Sequence, residues 1–355
     1  MANSFFTSVK GFFFLLLVLL LPIDHADACS RVVMATDSAR IVMVGRTLDW
    51  RTPIPTNIYL YPQGITKQSM PSGPALHWTS RYASILAVSY DGGVTEGMNE
   101  TGLVMNGLFC NVSRYPAPVE GDTSTPVMSL SILVSFFLDN FANVSQVDDW
   151  LANHHFVIPS SNFDNGTSTL LHWALTDISG DNLIIEYVDG RLTSYRGKNL
   201  TILTNNPIFS DMQAINAYWN DVGGVNMLPG TVRSADRFVR GTFFISHVPH
   251  DLDHHNAFAS LSTIMANLSV PWLYQVEGKP HLSSTQWRSI ADLTDGRYYF
   301  RLADSLSEFY IEFKGEILSP GSTIKKLNLS NIDSYQLVGR ANSRLTPTHS
   351  FTPIW

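Results

Sequence analysis

Cysteine is nearly absent from this chain: two residues in 355, Cys29 and Cys110. Two cysteines cannot build a disulfide framework, nor do they carry the paired spacing of a structural zinc site. Charge is sparse as well. Only 15% of residues are charged, the net charge is −7, and no basic run occurs, which argues against a nucleic-acid partner. Gly-x-Ser-x-Gly, P-loop, dinucleotide and His-Glu-x-x-His motifs are all missing, and with them the usual markers of four large enzyme classes. The apolar run at residues 12–21 is too short for a bilayer core, which needs about 20 residues.

What is present starts with that run. It follows Lys10 and leads through Pro22 and Asp24 to the small-x-small tripeptide Ala26-Asp27-Ala28. Positive charge, apolar stretch and small-residue cut site, in that order, read as an export signal. Cleavage after Ala28 is therefore expected, giving a signal peptide at residues 1–28 and a single domain at residues 29–355. The product would be periplasmic or secreted, without stable membrane insertion. A lipoprotein signal also places a cysteine at the cut, but it wants an aliphatic residue where this chain has Ala26. The mature chain would begin with Cys29, whose thiol and free α-amino group supply a nucleophile and a proton acceptor on one residue. A Cys29–Cys110 disulfide would consume that nucleophile. Both thiols are expected to be free, with Cys110 a packed small residue.

Apolar residues make up 45% of the chain, enough for a sizeable core. Residues 31–35 and 41–44 read as a hairpin whose second strand runs on to Gly45-Arg46-Thr47-Leu48-Asp49-Trp50. Arg46 and Asp49 have opposite parity, so they can face one site only if the strand ends or kinks between them. Residues 51–80 read as loop with one short strand near 58–61. Residues 96–105 read as a turn feeding a buried strand to Phe109. Residues 128–141 are apolar almost all round, hence a buried helix, and Ser145 with Asp148 resembles a capping box for a shorter one. A second hairpin is expected over 170–176 and 182–187, a strand over 200–204, and helices over 211–219, 234–246 and 256–266. Strands return at 287–293, 297–301 and 309–313, and the tail from 319 is loop-rich. Strands at both ends with helices between suggest two packed sheets flanked by helices.

His247, His250, His254 and His255, with Asp251 and Asp253, look at first like metal ligands. They occupy a polar turn before a helix, where Asp253 or Asn256 serves as a cap, so no metal is expected.

Cys29, Gly45-Arg46-x-Leu48-Asp49 and Glu96-Gly-Met-Asn-Glu-x-Gly-Leu103 occur in that order. Leu171-His172-Trp173, Leu203-Thr204-Asn205-x-Pro207 and Ser234-Ala-Asp-Arg237-Phe238 follow. On these motifs the chain resembles the choloylglycine hydrolase family of N-terminal-nucleophile hydrolases, which includes bile salt hydrolases and penicillin V acylases. The resemblance implies an α+β, four-layer αββα fold and a hydrolase of linear amide C–N bonds without metal or other cofactor. It also implies a small-molecule N-acyl amide substrate and a homotetramer. By motif, Cys29 would be the nucleophile and its α-amino group the base. Arg46 would favour the thiolate, Asp49 would hold the α-amino group, and Arg237 would complete the charged shell. Asn205 and the backbone N–H of Phe109 would stabilise the oxyanion. Bile salt hydrolases carry asparagine where this chain has Phe109, and Trp50 resembles the exported penicillin V acylase-like branch. An apolar wall of Trp50 and Phe109 suits phenoxymethyl penicillin or N-acyl homoserine lactones, with conjugated bile salts as the alternative. A non-catalytic exported protein that keeps the fold to bind a ligand is the reading from another class.

Overall fold

The structure is a computed structural model that describes residues 29–37, 41–116, 119–159, 161–162, 168–274, 276–277 and 283–355. The expected export signal, residues 1–28, lies outside the described residues.

The first hairpin forms as read. Strand β1 (Ser30–Ala35) pairs antiparallel with β2 (Val42–Trp50), setting Arg31 opposite Arg46 and Val33 opposite Val44. Four antiparallel strands bracket the next stretch: β3 (Thr56–Tyr61), then the small ribbon β4 (Thr66–Gln68) and β5 (His77–Thr79), then β6 (Ser84–Ser89). Two more follow, β7 (Gly93–Asn99) and β8 (Val104–Phe109). Part of β7 falls where the sequence reads as a turn. Its Gly, Glu and Asn residues are poor strand formers, but Glu96 and Asn99 are fully buried and find polar partners, which outweighs propensity.

Helix α1 (Leu130–Asn140) is buried on nearly every side, as its composition demands. Helix α2 (Val144–Asn153) starts one residue before the expected box. Its cap is Asn143, whose side chain accepts from the Gln146 N–H, and not Ser145. The second hairpin, β9 (Leu171–Thr176) and β10 (Asn182–Val188), extends into β11 (Arg191–Arg196). After β12 (Ile202–Thr204) come three helices: α3 (Phe209–Val222), α4 (Ser234–Ser246) and α5 (His254–Leu268), the last capped by Asp253. Strands β13 (Ser284–Asp292), β14 (Arg297–Leu302) and β15 (Phe309–Glu312) match the expected ones closely. The tail is less loose than its composition suggests. It adds β16 (Lys325–Leu327), β17 (Gly339–Arg340) and β18 (Thr346–Pro347) to existing sheet edges.

These strands make two large sheets, one ordered β12-β1-β2-β13-β14-β15-β17 and the other β11-β10-β9-β8-β7-β6-β3-β16-β18. The sheets pack face to face through Val33, Val44, Leu48, Ile58, Ile85, Ala87, Met98 and Tyr298. Helices α3, α4 and α5 cover the outer face of the first sheet, and α1 and α2 cover that of the second. Four layers result, in an α+β arrangement that buries the central strands on both faces. Gly45 in β2 makes one of those contacts possible: a Cβ there would lie 2.6 Å from the Met265 side chain of α5.

Candidate active site

Strand β1 is interior to its sheet, held by β12 on one side and β2 on the other. Cys29, which immediately precedes it, therefore sits beside the ends of two neighbouring strands and is 4% exposed. Alternation sends Cys29 and Arg31 towards the second sheet and Ser30 towards α4. The same rule divides β2. Arg46 points between the sheets, and Asp49 points to the helix side.

The opposite parity of Arg46 and Asp49 thus needs no kink in β2. The irregularity lies in β13, where the register shifts between Thr285 and Trp287, opposite Asp49 and Leu48. Each residue reaches Cys29 from its own face. Arg46 Nη2 stands 3.7 Å from the Cys29 sulfur, and the backbone carbonyl of Asp49 stands 3.8 Å from it.

Arg46 is held in a buried polar network. Its Nη2 donates to the Gly107 carbonyl at 3.1 Å, its Nη1 lies 3.2 Å from Glu96 Oε2, and its guanidinium covers the Trp287 ring at 4.8 Å. Glu96 in turn accepts from Asn106 at 3.1 Å, Ser289 at 2.6 Å and Tyr298 at 2.5 Å. Arg31 closes the network by donating to Asn106 at 2.8 Å and to Thr176. Burial pulls its pKa down to about 9, against the opposing influence of Tyr298 and Glu96. The sequence motifs assign no role to Arg31 or Glu96, although Arg31 follows Cys29 closely and Glu96 opens one of the motifs. A buried cation needs a buried anion, and that requirement was the available signal.

On the helix side, Arg237 of α4 donates to the Cys29 carbonyl at 2.8 Å, to Ser30 Oγ, and to Asn205 Oδ1 at 3.3 Å. Its Nη1 is 4.0 Å from Asp49 Oδ2. Asp49 accepts from Thr47 Oγ1 at 3.0 Å, and the Thr285 hydroxyl also stabilises its charge. Burial raises its pKa to about 6, with Arg237 the strongest opposing influence.

The Cys29 nitrogen donates to Asn205 Oδ1. One proton of Asn205 Nδ2 goes to the Phe109 carbonyl at 2.7 Å. The other has no hydrogen-bond acceptor among the described residues. Phe109 presents its own N–H nearby. The Cys110 N–H is spent on Leu170 at 2.8 Å, so the Phe109 N–H points to the opposite edge of β8, which β7 covers only as far as Asn106. Trp50 and Phe109 meet edge to face, ring centres 5.2 Å apart, and both are buried.

Cys29, Arg46, Asp49, Asn205, Arg237, Trp50 and Phe109 are therefore gathered at one place. The loop histidines are not. His254 turns to Asp292 at 2.6 Å and Asp295 at 3.6 Å, while His247 stays on its own helix with the Phe243 carbonyl at 2.7 Å. Both cysteines are free.

Residues 29–324 match the family model of linear amide C–N hydrolases, choloylglycine hydrolase family. The penicillin V acylase of Pectobacterium atrosepticum is 33% identical over 91% of this chain and 91% of its own length. A bile salt hydrolase/transferase of Clostridium perfringens is 28% identical over 84% and 95%. Among solved structures, a penicillin V acylase from Agrobacterium tumefaciens superposes with a TM-score of 0.83 at 34% identity, covering 92% of this chain and 99% of that one. A mutant conjugated bile acid hydrolase from Clostridium perfringens shares the fold, with a TM-score of 0.69 at 21% identity over 90% and 99%.

Proposed function

The chain belongs to the choloylglycine hydrolase family of linear amide C–N hydrolases, and on that premise we propose that Cys29 cleaves N-acyl amides with an apolar acyl group through a thioester. The observation that carries the reading is the surroundings of Cys29, with Arg46 at its sulfur and Asn205 at its nitrogen. Once residues 1–28 are removed, that nitrogen becomes a free amine able to take the thiol proton. The sulfur attacks the amide carbonyl while Arg46 offsets its negative charge. The oxyanion that forms is met by the Phe109 N–H and the second Asn205 Nδ2 proton. The protonated amine then passes its proton to the leaving nitrogen, the C–N bond breaks, and a thioester remains on Cys29. Water, deprotonated by the same amine, releases the acid. Asp49 and Arg237 support the amine from the helix side.

The Trp50–Phe109 wall supports an aromatic or alkyl acyl group, as in penicillin V or an N-acyl homoserine lactone. The relatives named penicillin V acylase support the first of these. Export, with cleavage between Ala28 and Cys29, is part of the same proposal, supported by the apolar run and Ala-x-Ala tripeptide before Cys29. The decisive experiment assays mature protein against penicillin V, acyl homoserine lactones of several chain lengths, and glyco- and taurocholate. N-terminal sequencing accompanies the assay. Turnover of the first two classes by a chain starting at Cys29 is expected. Preference for the cholates would replace the substrate assignment, and a different N-terminus on active protein would sink the mechanism.

A further inference from the structure

Behind the Phe109–Asn205 contact lies a second buried polar row that the proposed chemistry does not touch. Cys110 follows Phe109. The β8–β9 register sets Leu108 against His172, which makes Cys110 and His172 diagonal neighbours on one face. The β9–β10 register sets Trp173 against Ile185, which brings Glu186 level with His172. All three residues are 0% exposed, and a sulfur, a ring nitrogen and a carboxylate oxygen from them lie within 4.8 Å of one another.

Glu186 is the hub of this row. Its Oε1 lies 2.8 Å from His172 Nδ1, the ring's one hydrogen bond among the described residues. Both carboxylate oxygens accept from the Phe209 N–H at 3.0 Å. Phe209 opens α3, where the helix dipole favours an anion, and it follows Asn205 closely in the chain. Between them, Asn206 Oδ1 accepts from the Asn111 N–H at 2.8 Å. Two segments flank the oxyanion position, one carrying Phe109 and the other Asn205. They are therefore tied together twice, through Asn206 to Asn111 and through Phe209, Glu186 and His172 to the strand next to Cys110.

The electrostatics strengthen the tie. Burial disfavours charge on both Cys110 and His172, but each offsets it for the other. The thiol is shifted below its ordinary value and the imidazole above it, with Glu186 helping the imidazole. A charged imidazole on a carboxylate is the stronger kind of hydrogen bond. The 2.8 Å separation of Nδ1 and Oε1 also argues against a metal between them, since two ligands on a tetrahedral zinc with bonds of 2.0–2.1 Å stand about 3.4 Å apart.

We propose that Glu186 and His172 are positioning residues for the oxyanion site, fixing the start of α3 so that the free Asn205 Nδ2 proton meets the developing charge. This role rests on the thioester reading above. The test compares Glu186→Gln, His172→Leu and His172→Gln with wild type by kcat and KM on the best amide of the substrate panel. It also compares the rate at which iodoacetamide alkylates Cys29, a reaction that forms no oxyanion. Glu186→Gln and His172→Leu are expected to lower kcat about tenfold with KM within about twofold, as for a donor displaced by a fraction of an ångström. Alkylation should keep its wild-type rate. His172→Gln, which retains a donor, should recover about a third of wild-type kcat. If Glu186→Gln fails to fold, the two His172 variants carry the test by the same readouts. Wild-type kcat in the variants overturns the proposal. A fall in alkylation parallel to the fall in kcat also overturns it, because the row would then support the whole site and not the oxyanion position. Amide turnover that survives Cys29→Ala would remove the thioester premise, and the positioning role with it.

Discussion

Asp139 and Asp49 are both buried carboxylates, 0% and 1% exposed, and the molecule treats them in opposite ways. Asp139 lies in the layer between the second sheet and α1, among Phe136, Phe137 and Trp78. It is paired with Lys67 at 2.9 Å and accepts from Trp78 at 2.7 Å and Ser135 at 3.3 Å. Its demands are met within a layer that carries none of the proposed chemistry. Asp49, at the Cys29 end of the other layers, has only the Thr47 and Thr285 hydroxyls beside it and, among the described residues, no cation nearer than Arg237 at 4.0 Å. Arg46 likewise has a buried Nε without a hydrogen-bond partner among the described residues. Polar groups left short of partners cost stability, and Asp49 and Arg46 carry that cost beside Cys29, where charge has to be handled.

Four substitutions break or sharpen this contrast. The largest effect is expected from Cys29→Ala, which should cut turnover at least about 10⁴-fold in a chain that unfolds no more easily than wild type. Lys67→Met acts on the opposite side. It strands Asp139 and should cost about 3–5 kcal/mol in denaturant unfolding while the folded fraction keeps its kcat. Asp49→Asn should invert that result. Folding raises the Asp49 pKa from 3.8 to about 6, so the folded state holds the proton more tightly in that window. The stability this group contributes is whole below pH 4 and is lost as pH rises through about 6. The asparagine variant should therefore be more stable than wild type at pH 8, by roughly 3 kcal/mol, with the advantage vanishing near pH 4. It should also lack the fall in kcat/KM expected of wild type as Asp49 is protonated below about pH 6. Asn143→Ala removes only a helix cap and should cost about 1 kcal/mol with no change in kinetics.

Legibility from the sequence divides along a similar line. Local patterns were readable: the β1–β2 hairpin, the buried helix α1, and α4 from Ser234 to Ser246. The misses depend on partners distant in the chain. β7 looked like a turn because nothing near it in sequence announces the asparagine and helix carbonyls that satisfy Glu96 and Asn99. β16 is too short to signal itself and forms on the edge of β3. At the site, Cys29, Arg46 and Asp49 could be placed near each other by the hairpin alone. Asn205, Arg237 and Phe109 were found only through family motifs, since they come from β8, the segment after β12, and α4. Cys110, His172 and Glu186 carried no joint signal at all, because only sheet register makes them neighbours.

Most chains are loosest at their ends, which fray independently of the rest. In a mature chain beginning at Cys29, the terminal residue leads straight into a strand zipped on both sides, by β12 and by β2. Freeing it means parting β1 from both β12 and β2, so local opening there costs far more than the fraying of an ordinary terminus. The amides of β1 should exchange with solvent among the slowest in the protein. Heat should extinguish turnover only at the temperature where the whole fold melts, with no earlier loss from a wandering nucleophile.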